Sequence, residues 1–117
     1  MAIVGASQKP SRYAYRAFEM LRQYGHCPVP VNPAVAQILG ERCYASISDV
    51  PEKIDIVTLY LRKARSDPLI EEIVSTKPRR IIMNPGAENP DLARWAETDG
   101  IEVIEGCTLV MLRTGTF

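Results

Sequence analysis

The sequence predicts an α/β fold of three layers, in which a mainly parallel sheet of five strands is covered by helices on both faces. Strand patterns alternate with helical patterns along the whole chain, which is typical of parallel sheets whose strands are joined by helices. The run at 54–61 is nearly continuous and rich in β-branched residues, as expected for a strand buried on both faces. Asp67 with Pro68, and Asn89 with Pro90, each place a capping side chain before a proline, a strong signal for a helix start.

The first half of the chain contains two predicted strands of the sheet and one helix. Residues 2–4 form a short strand, and the helix that follows ends before Gly25. A short strand is predicted at 27–31 despite its two prolines, because the next turn needs a parallel strand before it. Residues 40–44 favour a brief edge strand and 46–50 a single helical turn. The helix itself is predicted from an apolar stripe at i, i+3, i+4 and i+7, formed by Ala14, Ala17, Phe18 and Leu21.

The second half continues the alternation after the strand at 54–61. Prolines and glycines mark where its elements begin and end. The predicted elements are, in order, a helix from Asp67 that ends before Pro78, a strand at 80–83, a turn at 84–86, a helix from Asn89 to Gly100, a strand at 101–104 and an apolar tail at 107–112 that packs against the sheet.

Composition restricts the function classes. With 117 residues the chain suits one domain, 1–117, and its formal net charge of zero gives no basic surface for nucleic acid. No run of about 18 apolar residues predicts a membrane span, and no secretory leader is visible. Cys27, Cys43 and Cys107 are odd in number and scattered, which disfavours both a disulfide framework and a zinc site. We therefore expect a cytoplasmic protein.

The strand–turn–helix at the start of the chain predicts a nucleotide site. The N-terminus of a helix presents unpaired amides and a partial positive charge, so a tight turn that leads into it can hold a phosphate. Gly5 removes the side chain where a diphosphate would approach the backbone, Ser7 and Ser11 add hydroxyls, and Lys9 and Arg12 add positive charge. Ligands of open parallel sheets lie at the carboxyl ends of the strands. Three further strand ends carry turn residues: 32–33, 60–63 and 84–86.

The pattern disfavours a dinucleotide such as NAD. That cofactor predicts three glycines spaced G-x-G-x-x-G and an acidic side chain after the second strand. Here Gly5 stands alone with Ser7 in the place of the second glycine, and the second strand ends at neutral Asn32. A diphosphate ligand with different ribose recognition fits better, and an NAD(H)-binding redox sensor or oxidoreductase fragment stays as the alternative.

Several segments resemble the stand-alone CoA-binding domain family, which is related to the N-terminal domain of the succinyl-CoA synthetase α subunit. The resemblance spans almost the whole chain and rests on the order of five segments: 3–13, 31–33, 55–60, 84–89 and 107–112. It implies a Rossmann-like domain that binds coenzyme A or an acyl-CoA. The role would be to sense, buffer or deliver that ligand, or to act as a subunit in a homo-oligomer or with a protein partner.

By position, the resemblance also implies a set of binding residues. Gly5, Ala6 and Ser7 would contact the diphosphate, and the helix start would flank the phosphates through Lys9, Arg12 and Tyr13. The other strand ends would supply Asn32 and Pro33 beside the adenosine, Tyr60 and Arg62 along the next turn, and Asn84 and Gly86 beside the pantetheine arm.

The sequence offers little for catalysis. His26 is the only histidine and follows a helix end, away from the predicted ligand edge, so a surface role is favoured over a general base. Cys107 is the best candidate nucleophile, since it follows a strand end and Gly106, but its neighbours supply no positive charge. Glu88 fits a helix-start carboxylate as well as a ligand contact. We expect a binding module without a catalytic residue of its own, with acyl or thiol transfer at Cys107 as a further alternative.

Overall fold

A computed structural model describes residues 1–115 and contains one five-stranded sheet in which every pair of neighbouring strands is parallel. The prediction of a mainly parallel five-stranded sheet is therefore confirmed. The strands, in chain order, are β1 (Ala2–Val4), β2 (Val29–Val31), β3 (Gln37–Ile38), β4 (Glu41–Arg42), β5 (Ile56–Leu59), β6 (Arg80–Met83) and β7 (Glu102–Glu105), of which β3 and β4 form a separate antiparallel pair. The helices are α1 (Tyr13–Gln23), α2 (Lys63–Ser66), α3 (Ile70–Ser75), α4 (Pro90–Thr98) and α5 (Thr108–Thr114).

The strand order, β2-β1-β5-β6-β7, places the first strand in the interior of the sheet. The chain leaves β1 to form β2 on one side and later returns to form β5 on the other side, so the direction of winding reverses at β1. Ligands of such sheets bind at the carboxyl ends of the strands near this reversal. The turn that follows β1 is therefore at the position where a binding site is expected.

Alternate residues of the strands face two different helix layers. Ala2 and Val4 pack in the cluster that contains Ile73 of α3 and Leu92 of α4. Ile3 packs on the opposite face with the stripe of α1 and with Leu112 of α5, and Met111 of α5 covers Ile56 and Ile82. The tail after β7 thus packs against the sheet as predicted, as a helix. Layers on both faces make the fold Rossmann-like, as the resemblance implies.

The second strand tolerates proline because it lies at the edge of the sheet. Pro30 pairs with Ile3 on the inner side of β2, while its carbonyl accepts a hydrogen bond from the Tyr44 amide at 2.9 Å. The N–H and C=O of one strand residue point to the same side, so the N–H that Pro30 lacks would face Tyr44 and not β1, and the pairing with β1 loses no hydrogen bond. The predicted edge strand at 40–44 is present in part, since β4 pairs with β3 and only Tyr44 bridges Val31 at the edge of the main sheet. The predicted helical turn at 46–50 is a 3₁₀ turn at Ile47–Asp49.

The predicted helix start at Asp67 is wrong. Helix α2 begins four residues earlier at Lys63, and residues Asp67–Leu69 form a 3₁₀ turn between α2 and α3. The Asp67 carboxylate caps no amide; it pairs with Lys63 Nζ at 3.0 Å and accepts a hydrogen bond from Asn89 Nδ2 at 3.0 Å. Pro68 lacks an N–H, so the α-helical hydrogen-bond pattern is interrupted at this point.

Glu72 of α3 connects that helix to the 3₁₀ turn at Ile47–Asp49. Its Oε1 accepts hydrogen bonds from the Ser46 hydroxyl, from Ser48 Oγ at 2.8 Å and from the Ser48 amide at 3.1 Å. Burial raises the pKa of Glu72, but these donors favour the charged form and together hold the pKa below its ordinary value of 4.5. A carboxyl whose pKa is lowered in the folded state stabilises the fold above its unfolded pKa.

We therefore expect Glu72→Gln to destabilise the protein at pH 7 by more than it does at pH 3. The stabilisation is complete above about pH 4.5, the ordinary carboxyl value, and is lost as the pH falls through the lowered pKa of the folded state. Urea unfolding of both proteins between pH 3 and pH 7 measures the difference. Glu71→Gln is the control, since Glu71 is exposed and its carboxylate caps no turn. If Glu72→Gln lowered the free energy of unfolding by the same amount at both pH values, the assignment would be contradicted.

Candidate functional site

Four turns with predicted site residues lie side by side at the carboxyl edge of the sheet. They follow β2, β1, β5 and β6, which are consecutive in the strand order, and each begins at one of these residues: Asn32, Gly5, Tyr60 and Asn84. Because these strands are parallel, the turns share one edge of the sheet. The structure therefore brings the predicted turns together, while the side chains within them face different ways.

Gly5 is required by the packing of the turn itself. Its φ is +90°, and a Cβ atom there would lie 3.0 Å from Cγ and Cδ2 of Leu61 and 3.1 Å from the carbonyl carbon of Tyr60. The amides of Gly5 and Ala6 both donate to the Val31 carbonyl, at 3.1 Å and 3.3 Å. These two amides face β2, so of the predicted diphosphate contacts Ser7 and the helix start are the ones left for a ligand.

Asn32 connects the end of β2 to the same turn. Its Nδ2 donates to the Ala6 carbonyl at 2.7 Å, and its Oδ1 accepts from the Ala34 amide at 2.8 Å. The side chain therefore fixes the protein backbone and shapes the turn, a role that sequence reasoning missed. Pro33 follows it on the surface, where the resemblance places the adenosine.

The start of α1 is open to solvent and lacks a cap. Arg12 is the N-cap in an extended conformation, no side chain caps the first-turn amides, and the first turn contains no acidic residue. Lys9 and Arg12 are both exposed. Tyr13 is 66% exposed, with the Arg16 guanidinium 5.6 Å from its ring centre. Uncapped amides, the positive end of the helix dipole and two cations together favour an anion at this position.

Asn84 lies in the core and not on the ligand side of its turn. Its Nδ2 donates to Thr58 Oγ1 at 2.7 Å and to the Leu59 carbonyl at 2.9 Å, and its Oδ1 accepts from the Thr108 amide at 2.8 Å. The side chain thus joins β5 to the first residue of α5. Gly86, with φ +88°, is exposed in the same turn, and its amide donates to Glu88 Oε1 at 3.0 Å.

Tyr60 places a hydroxyl group in the same buried region. The hydroxyl is shielded from solvent and has no hydrogen-bond partner within residues 1–115, although the hydroxyls of Thr108 and Thr58 lie close to it. Burial raises the pKa of Tyr60 to about 12 and outweighs the opposite effect of these hydroxyls, so the phenol is neutral at physiological pH. Arg62, two residues further on, is exposed at the N-cap of α2.

The two residues weighed for catalysis are far apart in the fold. His26 is exposed and lies before β2, at the amino end of that strand, as the sequence predicts. Cys107 is half-exposed at the N-cap of α5 and lies just past the carboxyl end of β7. No group of three or more metal-binding side chains is present within residues 1–115. None of the helices described is long and apolar enough to cross a membrane.

Two threonines of this region were missed by sequence reasoning. Thr58 and Thr108 are fully buried and hydrogen-bonded to each other through their hydroxyls at 2.7 Å. A hydroxyl residue within the otherwise apolar end of a buried strand was a usable signal for Thr58, because buried polar groups need partners. Its partner Thr108 is 50 residues away in the chain and carries no such signal.

Comparisons with known proteins agree with this architecture. The CoA binding domain family matches residues 1–113. The chain is 26% identical over 104 residues to the uncharacterized protein YneT of Bacillus subtilis, covering 89% of this chain and 77% of that protein. A hypothetical protein from Pyrococcus horikoshii OT3 has a TM-score of 0.92 and 27% identity, with 97% of this chain and 80% of that one covered.

An ADP-forming acetate–CoA ligase of Methanocaldococcus jannaschii is 29% identical over 72 residues, covering 62% of this chain but only 10% of the ligase. The chain therefore spans a small part of that enzyme's length. The family match extends from β1 into α5 and includes every turn of the candidate edge. On this evidence the chain belongs to the CoA binding domain family.

Proposed function

We propose that this domain binds coenzyme A or an acyl-CoA across the carboxyl ends of β2, β1, β5 and β6. The observation that carries the proposal is the start of α1, whose first turn has no side-chain cap and no acidic residue and is preceded by Lys9 and Arg12. In a chain of this family, such a site suits the diphosphate of the ligand.

Two backbone amides of the turn are already hydrogen-bonded within the protein, which limits the groups that can contact the phosphates. Since Gly5 and Ala6 donate to Val31, the diphosphate lies beyond them, against Ser7 and the first turn of α1. Lys9 and Arg12 then supply charge from the solvent side. Ser7 Oγ accepts a hydrogen bond from the Lys9 amide at 3.1 Å, which holds that residue close to the turn.

The adenosine end lies toward β2. Pro33 offers an exposed apolar ring, and the neutral Asn32 before it is engaged with the backbone rather than placed to accept from ribose hydroxyls. The exposed ring of Tyr13, held beside Arg16, is a second surface on which an adenine could stack. An NAD(H) site requires an acidic residue at the end of the second strand, and this chain has Asn32.

The domain acts as a binding module that leaves reaction chemistry to a partner or to another domain. Its single histidine lies at the amino end of β2, away from the edge of the sheet that binds the ligand. Acetate–CoA ligase, which the chain resembles, is a much longer protein. The domain would sense, buffer or deliver the ligand, or serve as the CoA-binding subunit of an assembly.

We expect millimolar CoA to raise the Tm of the purified protein. Ligand at 100 times its Kd stabilises the folded state by about 2.7 kcal/mol, which corresponds to a rise of roughly 10 °C for a domain of this size. Thermal unfolding followed with CoA, acetyl-CoA and NADH measures the effect. No shift with either CoA compound would overturn the proposal, and a shift with NADH as large as that with CoA would favour the NAD(H) alternative.

A pair of charge reversals locates the site in the same assay. Lys9→Glu places a negative charge at the proposed diphosphate and should weaken CoA binding about tenfold. Lys53→Glu is the matched control, because Lys53 is also exposed but precedes β5 at the opposite edge of the sheet. Equal losses in the two variants would show that the effect comes from the net charge and not from this turn.

A further inference from the structure

Three hydroxyl groups lie close together between the carboxyl end of β5 and the start of α5. We call this set the hydroxyl cluster: Thr58, Tyr60 and Thr108. Thr58 and Thr108 are fully buried, and Tyr60 is half-buried with its oxygen shielded from solvent. The cluster lies where β5 enters the turn at the predicted ligand edge and where α5 begins.

Within residues 1–115, one hydroxyl of the cluster has no hydrogen-bond partner, that of Tyr60. Thr58 Oγ1 accepts from Asn84 Nδ2, and a single hydrogen bond joins it to Thr108 Oγ1. Whichever threonine donates in that bond, one hydroxyl hydrogen of the pair is left over, and it lies near the Tyr60 oxygen, which has no hydrogen-bond partner of its own within residues 1–115. The Asn84 Oδ1 accepts a hydrogen bond from the Thr108 amide and, within residues 1–115, from no hydroxyl of the cluster.

A buried donor without an acceptor is costly, and it is satisfied by an oxygen that accepts hydrogen bonds without carrying a full charge into the interior. An ionised phosphate would lose its hydration here with no cation to compensate, because Lys9 and Arg12 are exposed residues of the other turn. A carbonyl oxygen has the right chemistry. The arm of coenzyme A carries two amide carbonyls, and an acyl-CoA carries a thioester carbonyl as well.

We propose that the Tyr60 hydroxyl donates a hydrogen bond to a carbonyl oxygen in the arm of the bound ligand. This inference rests on the proposed function. The ligand runs from the start of α1 across the ends of β1 and β5, so its arm passes Tyr60 on the way toward β7. Tyr60 is half-exposed, and the proposal requires its side chain to turn toward the arm when the ligand binds.

The test compares three ligands with wild type and Tyr60→Phe by isothermal titration calorimetry. CoA carries the amides only, acetyl-CoA adds the thioester carbonyl, and S-ethyl-CoA has similar bulk without that carbonyl. Loss of one neutral hydrogen bond should weaken binding about five- to tenfold. If the thioester carbonyl is the acceptor, the variant weakens acetyl-CoA alone. If an amide is the acceptor, the variant weakens all three ligands equally. Either result supports the proposal.

The result that would overturn this inference differs from the result that would overturn the proposed function. Binding of all three ligands by Tyr60→Phe as tightly as by wild type would overturn the inference while leaving CoA binding intact. A failure of wild type to bind any of them would overturn the proposed function as well. The Tm of the unliganded variant should be equal to or above that of wild type, since an unsatisfied hydroxyl is removed; a lower Tm with unchanged binding would reveal an internal bond instead. Tyr24→Phe, at the exposed far end of α1, should change neither quantity.

Discussion

Gly5→Ala should lower the free energy of unfolding by about 3 kcal/mol, which is a large part of the stability of a domain of this size. Two costs add. A residue with a side chain at φ +90° is strained by about 1–2 kcal/mol, and its Cβ would lie 3.1 Å from the carbonyl carbon of Tyr60, where backbone must shift. The turn that leads to the candidate phosphate site would be displaced with it. Chemical denaturation measures the loss.

Gly25→Ala provides the matched control for that experiment. Gly25 has a φ of +85°, almost the same as Gly5, but a Cβ atom there would meet nothing within 4 Å. Only the backbone cost remains, about 1 kcal/mol. The difference between the two variants therefore reports the close approach of Tyr60 and Leu61 alone. Similar losses at the two positions would mean that the turn has room for a side chain.

Asn84→Ala should cost about 4 kcal/mol, because it removes a fully buried amide with three hydrogen bonds. The Thr108 amide would lose its acceptor in the interior, Thr58 would lose a donor, and a cavity would remain between β5 and α5. Urea denaturation measures the change. A loss of 1 kcal/mol or less would contradict the role assigned to this side chain.

Asn32→Ala is the appropriate comparison for Asn84→Ala. Asn32 also makes two hydrogen bonds to backbone, yet it is half-buried, so water can replace its amide and the loss should be about 1 kcal/mol. A double-mutant cycle with Thr58→Val then isolates the pairwise contribution of the Asn84–Thr58 bond. We expect the double variant to lose less than the sum of the two single losses.

Local signals predicted the fold where one segment determines its own structure. The strand at 80–83 has the predicted bounds, and Asn89 caps α4 through hydrogen bonds from the amides of Asp91 and Leu92. The same kind of signal failed at Asp67, because its carboxylate is engaged by Lys63 and Asn89 in the folded chain. A capping residue followed by proline indicates that a helix can start at that position. Whether the helix starts there depends on tertiary contacts.

The candidate site was predictable in position but not in detail. Parallel strands bring their carboxyl ends to one edge whatever the side chains are, so the turns at Gly5, Asn32, Tyr60 and Asn84 could be placed from the alternating pattern. The direction of each side chain depends on distant partners. Asn84 was predicted to border the ligand, yet its partners Thr58 and Thr108 lie 26 and 24 residues away in the sequence and hold it in the core.

The contact between Asn84 and Thr108 also bears on the order in which the chain acquires its structure. Within residues 1–115, the Asn84 side-chain oxygen accepts a hydrogen bond only from the first residue of α5. During synthesis, the Asn84 Oδ1 would therefore lack this donor until Thr108 has left the ribosome, although the acceptors of its Nδ2 on β5 are already present. The last helix described completes the interior of the sheet, so cooperative folding waits for nearly all of these residues to be translated.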